Sequence, residues 1–311
     1  MIYLDNCATT KPRAEVIEVL NNSLIDNFGN SSSLHKMGLK SEEAIENSRD
    51  IISNSLGVDS KEIYFNSGGT EGNNTFLRGI NFSGSKNKVI TTKLEHSSVM
   101  EVFKELKNRG LEVVYLENNE DGTVDLEDLK KNIDKNTALV SIMHVNNEIG
   151  YINDIKKCAQ IVHENSDALF HSDGVQAFGK IPVNLRDLGV DSYTISAHKI
   201  HGLKGNGAIF IKNGINLSPL ILGGGQERKF RSGTTDINGI VAFSKASEIM
   251  TKNFEKEYEH KKLLKEKVID YCLENISDIV INTPENSPAS ILNISFRGTR
   301  GEVILHYLER D

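Results

Sequence analysis

The sequence predicts an α/β fold, with a three-layer α/β/α large domain around a mostly parallel sheet and part of a small α/β domain after it. Two observations carry this reading. Short β-branched runs alternate with amphipathic helical stretches along most of the chain, the pattern of βα units whose helices cover a parallel sheet. The pattern then changes near Ala246, where a long Lys- and Glu-rich helical stretch begins. The 311 residues suffice for one large domain and a smaller one. We expect residues 13–246 to form the large domain, and residues 1–12 with 247–311 to form part of the small one.

The strand candidates are Glu62–Phe65, Lys88–Thr91, Glu112–Tyr115, Leu139–Val145, Ala168–His171, Ser192–Ile195 and Ala208–Ile211. Between them, Ser41–Leu56 sets Ala44, Ile45, Ile51, Ile52 and Leu56 on one helical face and stops at Gly57. Asp125 is placed to cap a helix carrying Leu126, Leu129 and Ile133. The late helix is expected from Ser247 to Ile276, with Leu263, Leu264, Val268 and Tyr271 as its apolar stripe. Ile291–Phe296 reads as a strand and Gly301–Leu308 as the start of a helix.

Composition excludes several classes of function. Hydrophobic residues make up 38% and charged residues 25%, an ordinary globular balance. A net charge of −7 argues against a nucleic-acid or acidic-membrane surface. It still permits a small phosphate ligand, which backbone N–H groups at a helix start can bind. The three cysteines, Cys7, Cys158 and Cys272, are odd in number, far apart and without a C-x-x-C pair. That spacing gives neither a disulfide framework nor a zinc site, so no metal is expected and a reducing cytoplasm is the natural setting. The N-terminus lacks a signal-peptide pattern, and no apolar run reaches the roughly 18–20 residues of a membrane span.

In an open α/β sheet, ligands bind beyond the carboxyl ends of the strands. Four loops there carry chemistry. Asn66-Ser67-Gly68-Gly69-Thr70-Glu71-Gly72-Asn73-Asn74 runs from a strand into a helix, so its N–H groups and the Thr70 hydroxyl can hold a phosphate; a plain glycine turn is the competing reading. Asp173 closes an apolar strand, where an unpaired carboxylate is costly, and a protonated pyridine nitrogen would satisfy it, as would a salt bridge or a helix cap. Lys199, in Ser196-Ala197-His198-Lys199, follows the next strand; desolvation there would free the neutral amine for imine formation. Asn146-Asn147-Glu148-Ile149-Gly150 offers amides to a carboxylate or a ring hydroxyl, or simply shapes a turn.

Taken together these stretches resemble the cysteine desulfurases of the NifS/IscS type, within the class V aminotransferase family of fold-type I pyridoxal-phosphate (PLP) enzymes. The resemblance also runs through Tyr3-Leu4-Asp5-Asn6-Cys7-Ala8-Thr9-Thr10, Gly29-Asn30-Ser31-Ser32-Ser33-Leu34-His35, Glu95-His96, Asp173-Gly174-Val175-Gln176-Ala177, Gly223-Gly224-Gly225-Gln226-Glu227 and Arg231-Ser232-Gly233-Thr234. It implies pyridoxal 5'-phosphate as cofactor, carried by Lys199 as a Schiff base, with the same amine later moving protons. It implies that Asp173 keeps the pyridine nitrogen protonated, that His96 stacks on the ring and acts in proton transfer, and that Gln176 bonds the phenolic oxygen. Asn147 would face the cofactor or substrate. Gly69, Thr70, Ser196 and His198 would bind the phosphate, joined by Thr234 from the neighbouring subunit of a homodimer. His144, His171 and His201 are expected to be packing residues.

The activity implied is conversion of L-cysteine to L-alanine, with the sulfur passed to an enzyme cysteine and on to a sulfur-acceptor or scaffold protein for iron–sulfur clusters or tRNA thiolation. In that family the persulfide-forming cysteine stands in a Ser-Ser-Gly-Ser-Ala-Cys type loop, and a carboxylate-binding arginine follows; the sequence stops at Asp311 before either. The expectation is therefore a C-terminally truncated desulfurase, whose activity without that loop is in question. Alternatives are a selenocysteine lyase, an aminotransferase, or a non-catalytic PLP-binding fragment. Cys7 stands in a stretch that borders the site in that family, although its position is not the nucleophile's. Leu203 and Gly174 replace residues that the family often has as proline and alanine.

Overall fold

The computed structural model describes residues 2–82 and 86–310. In chain order its elements are α1 (Ala14–Asp26), α2 (Lys36–Leu56), β1 (Ile63–Asn66), α3 (Gly69–Gly79), β2 (Lys88–Thr92), α4 (Ser97–Asn108), β3 (Glu112–Leu116), α5 (Leu126–Asn132), β4 (Thr137–Ser141), α6 (Ile155–Asn165), β5 (Leu169–Asp173), α7 (Leu185–Leu188), β6 (Ser192–Ser196), β7 (Gly207–Ile211), α8 (Ile237–Asn275), β8 (Ile279–Ile281), β9 (Ile294–Phe296) and α9 (Gly301–Leu308).

The first seven strands form one sheet in the order β1-β7-β6-β5-β4-β2-β3. β6, β5, β4, β2 and β3 run parallel, and β7 is antiparallel to both of its neighbours. β1, β4, β5 and β6 therefore end at one edge of the sheet, and β7 begins there. Every residue of β4, β6 and β7 is buried, so these strands read as continuous apolar or small runs instead of alternating ones.

Successive residues nonetheless feed different layers. Val89, Leu139, Ile209 and Ile211 pack with Phe76 and Leu77 of α3 and Val102, Phe103 and Leu106 of α4. Ile90, Val140, Phe170, Ile195 and Phe210 pack with α2, α6 and α8 on the opposite face. The three-layer architecture follows from this period of two.

Two helices begin earlier than their apolar spacing suggests. α2 starts at Lys36, where the His35 ring nitrogen accepts the Gly38 N–H at 3.3 Å. Gly38 interrupts the apolar pattern because a Cβ there would lie 2.0 Å from the Ser33 carbonyl. α8 starts at Ile237 and runs unbroken through Ala246, with Asp236 accepting the Gly239 N–H at 3.1 Å as its cap. The strand expected at Ile291–Phe296 shortens to β9, since buried Ile291 joins the core of the large sheet instead.

Candidate active site

Asp173 is the last residue of β5, and Lys199 follows β6, its neighbour, in a short helical turn of Ala197–Lys199. Both carboxylate oxygens of buried Asp173 accept an N–H: Oδ1 from Val175 at 2.9 Å and Oδ2 from the Asn73 amide at 2.7 Å. Burial pushes the carboxyl above its ordinary range, opposed by these two donors and by the nearby His96 and Lys199 side chains. The Lys199 amine is half-buried and is pushed down, first by burial, against the pull of Cys7, Asp173 and Asp5. A partly desolvated amine thus stands within electrostatic reach of a carboxylate built to meet a cation.

The N-terminal segment straps this pair. Lys199 Nζ donates to the Ala8 carbonyl at 2.8 Å and to the Cys7 carbonyl. Thr10 donates through its N–H and its hydroxyl to the His198 carbonyl, at 2.9 and 2.8 Å. Gln176, also buried, donates its amide to the Cys7 carbonyl at 3.0 Å and accepts from Lys180. It is thus the carbonyl of Cys7 that the amide and the amine engage.

A cleft of about 310 Å³ lies beside them, lined by Gly68, Gly69, Thr70, Ser196, His198 and Lys204 among others. Its floor is the start of α3, capped by Gly68 at φ 137°, so the first N–H groups of an 11-residue helix face it. Ser196 Oγ is buried without a partner, a donor that an anion would satisfy. The His198 ring meets the Thr9 hydroxyl at 3.1 Å, and its pKa falls to about 4, mainly through burial and then through Lys199, Lys204 and Lys180.

The remaining residues divide. Asn146 shapes the turn after β4, its Oδ1 accepting the N–H groups of Glu148 and Ile149 at 2.9 Å, which leaves half-buried Asn147 at the apex. Exposed His96 caps α4. Thr234 does not join the phosphate cleft of its own chain. It lines a separate cavity of about 210 Å³ with Asn66, Arg231 and Asp236, and the two cavities meet at Ser67 and Gly205. His144 and His171 are buried, with pKa values lowered to about 4 and about 3 by burial. Gly174 has no room for the alanine expected of its relatives, because a Cβ would lie 1.8 Å from the Tyr193 ring.

Lys204 and Ser98 stand in none of the motifs singled out above, and Asn73 and Glu95 stand in two of them without an assigned role. Lys204 carried a signal, standing beside Gly205 in the glycine-rich turn. Buried Glu95 accepts the Met143 N–H at 2.6 Å; burial pushes its carboxyl well up, and its second oxygen has no partner.

The aminotransferase class V family matches residues 2–311. The chain belongs to the class V aminotransferase family. Within that family it is 43% identical over 311 residues to the cysteine desulfurase IscS of Dictyoglomus turgidum, covering 99% of this chain and 79% of that one. It is 38% identical to the cysteine desulfurase IscS of a Clostridium botulinum strain, covering 98% and 78%. A solved NifS-like protein superposes with a TM-score of 0.96 at 38% identity, covering 99% of this chain and 85% of that one. SspA, solved in complex with cysteine, superposes at 0.88 with 30% identity, covering 100% and 87%. Class V aminotransferases depend on PLP. The residues here fit such a group: an unpartnered buried hydroxyl and a helix start for a phosphate, and a carboxylate and an amine at the ends of adjacent strands for a ring.

Proposed function

We propose that this chain is a PLP-dependent cysteine desulfurase acting on L-cysteine, with L-alanine and transferable sulfur as products. The observation that carries the reading is Asp173, buried at the end of β5 with both oxygens on N–H donors, one strand from the half-buried Lys199 amine. The IscS relatives and the cysteine-bound SspA support a sulfur amino acid as substrate.

Lys199 would hold the cofactor covalently, with Gly69, Thr70, Ser196 and His198 on its phosphate. When bound, PLP withdraws electrons from the bonds around the substrate Cα. Asp173 keeps a proton on the ring nitrogen, since an anion sharing a buried site with that nitrogen favours its charged form. The Lys199 amine, whose affinity for a proton burial lowers, takes and returns the Cα proton. Gln176 and Asn147 orient the ring hydroxyl and the substrate. Thr234 of the partner subunit completes the phosphate site of a cytoplasmic homodimer, and a sulfur-acceptor protein receives the product.

Purified protein mixed with PLP should turn yellow, and borohydride should fix one adduct, on Lys199, by mass spectrometry. Lys199→Ala should lose the adduct and alanine production while retaining some phosphate-bound PLP. An adduct fixed on Lys180 or Lys204 would sink the assignment. Release of alanine from selenocysteine alone, or amino transfer to a keto acid, would redirect it to another member of the family.

A further inference from the structure

His96 is the N-cap of α4, and its ring is held from below by a chain of hydrogen bonds that begins at Asp173. Asn73, fully buried on α3, donates through Nδ2 to two acceptors: Asp173 Oδ2 at 2.7 Å and Ser98 Oγ at 2.8 Å. Turning the amide over would set its oxygen against the Asp173 carboxylate, so the donor assignment is fixed by charge. Asn73 Oδ1 is consequently left buried without a partner. Ser98 Oγ, already accepting from Asn73, has its own proton free, and the nearest acceptor is His96 Nδ1 at 2.8 Å. The same Nδ1 accepts the Ser98 backbone N–H at 3.1 Å. A backbone N–H can only donate, so Nδ1 carries a lone pair and the proton of the neutral imidazole sits on Nε2.

We infer that Asn73 and Ser98 are positioning residues of this site, a relay that locks His96 in its Nε2-protonated tautomer and ties its orientation to Asp173. Neutral His96 then offers a proton, and no lone pair, at its free nitrogen. It serves as a proton donor to the substrate, and proton abstraction falls to Lys199. The catalytic consequence rests on the cofactor reading above; the tautomer does not.

The decisive measurement uses the whole chain without cofactor, labelled with ¹⁵N-histidine and read by long-range ¹H–¹⁵N NMR. His96 should show a protonated Nε2 and an unprotonated Nδ1. Ser98→Ala should raise the share of the Nδ1–H tautomer about fivefold, the equivalent of one net hydrogen bond of about 1 kcal/mol. Asn73→Ala should move it in the same direction by less, and Ser98→Thr should restore the native ratio. An Nδ1–H tautomer in the unmodified chain overturns the inference, and that spectrum decides even if a variant fails to fold. A native ratio in Asn73→Ala overturns the link to Asp173.

In the PLP-loaded protein, Ser98→Ala should lower kcat about tenfold with KM unchanged, part of the roughly 10²–10⁴-fold worth of a general acid. Should the unmodified chain fail to take up PLP, the functional proposal fails, while the NMR result still stands or falls by itself.

Discussion

The sheet edge that carries the site and the segment after α8 are built on opposite terms. At the ends of β5 and β6, polar groups lie inside the core, and each is tethered to residues far away in sequence: Asp173 to Asn73, Lys199 to Cys7 and Ala8. After α8, the two strands have three residues each and none is fully buried. α9 buries no residue at all. There most of the side-chain bonds join near neighbours, such as Asn293 N–H to Thr283 Oγ1 at 2.7 Å and the Asn282 amide to Ser295 at 2.7 Å, while the Asn293 amide reaches the Glu148 carbonyl at 3.2 Å. Buried polar groups are costly unless all their partners are present, so the first region should respond steeply to single changes and the second hardly at all.

The largest response is expected where the Thr234 stretch is anchored. Arg49 on α2 forms a two-pronged ion pair with Glu227, at 2.8 Å on both prongs, and both side chains are 5% exposed. Glu227 also accepts the Phe65 N–H at 2.8 Å, which pins β1 to the turn that follows Gly225. Residues Glu227, Arg228 and Lys229 all adopt positive φ, 44°, 56° and 68°, a strained run that needs such an anchor. Glu227→Ala should cost about 3–5 kcal/mol in urea unfolding, because it leaves a buried guanidinium with only exposed Glu46 as counter-charge. Replacing both partners, as Arg49→Met with Glu227→Leu, should cost less than the single change. A single-variant loss under about 1 kcal/mol would show that the site edge is not as taut as its tethers imply.

Much of this arrangement was legible in the sequence. Asp173 ends one apolar strand and Lys199 follows the next, so their places at neighbouring strand ends could be read from residue type and order. The early starts of α2 and α8 were hidden by Gly38, pressed against the Ser33 backbone, and Gly239, pressed against the Asn206 and Asp236 side chains, glycines indistinguishable in sequence from helix breakers. The relay through Asn73 and Ser98 was illegible for another reason. The two are 25 residues apart, and what matters is which amide proton meets which oxygen, a fact of orientation that no spacing encodes. The strap of Cys7 to Thr10 is similar: its motif could be seen, but not that its backbone carbonyls face Lys199.

A second, smaller response separates the two regions by pH. His171 in β5 is fully buried between Ser141 Oγ at 2.9 Å and Thr194 Oγ1 at 3.3 Å, and burial lowers its pKa from 6.5 to about 3. Between those values the unfolded chain binds a proton that the folded chain refuses. Its contribution is therefore complete above about pH 6.5 and is lost as pH falls toward 3, by up to about 1.4 kcal/mol per unit. His144 acts in the same sense and Glu95, with its raised pKa, in the opposite one, so the difference between the native chain and His171→Gln isolates the effect. From pH 7.5 to 5.5 the native chain should lose about 1.4 kcal/mol more than the variant. Equal losses in both would mean that His171 is solvated in solution.

The smallest response belongs to α9. Val303, Leu305, Tyr307 and Leu308 are 47–68% exposed, so removing their apolar atoms takes away little that folding had buried. Leu305→Ser should change the unfolding free energy in urea by no more than about 0.5 kcal/mol, the usual range for a surface position, and should leave PLP uptake untouched. The comparison is sharpened by repeating the measurement at tenfold higher protein concentration. If the cost of Leu305→Ser rose above about 1.5 kcal/mol and grew with concentration, α9 would be packed against a second copy of the chain. Its apolar residues would then be packed as firmly as those of the sheet, and the contrast between a taut site edge and a loosely held segment would fail.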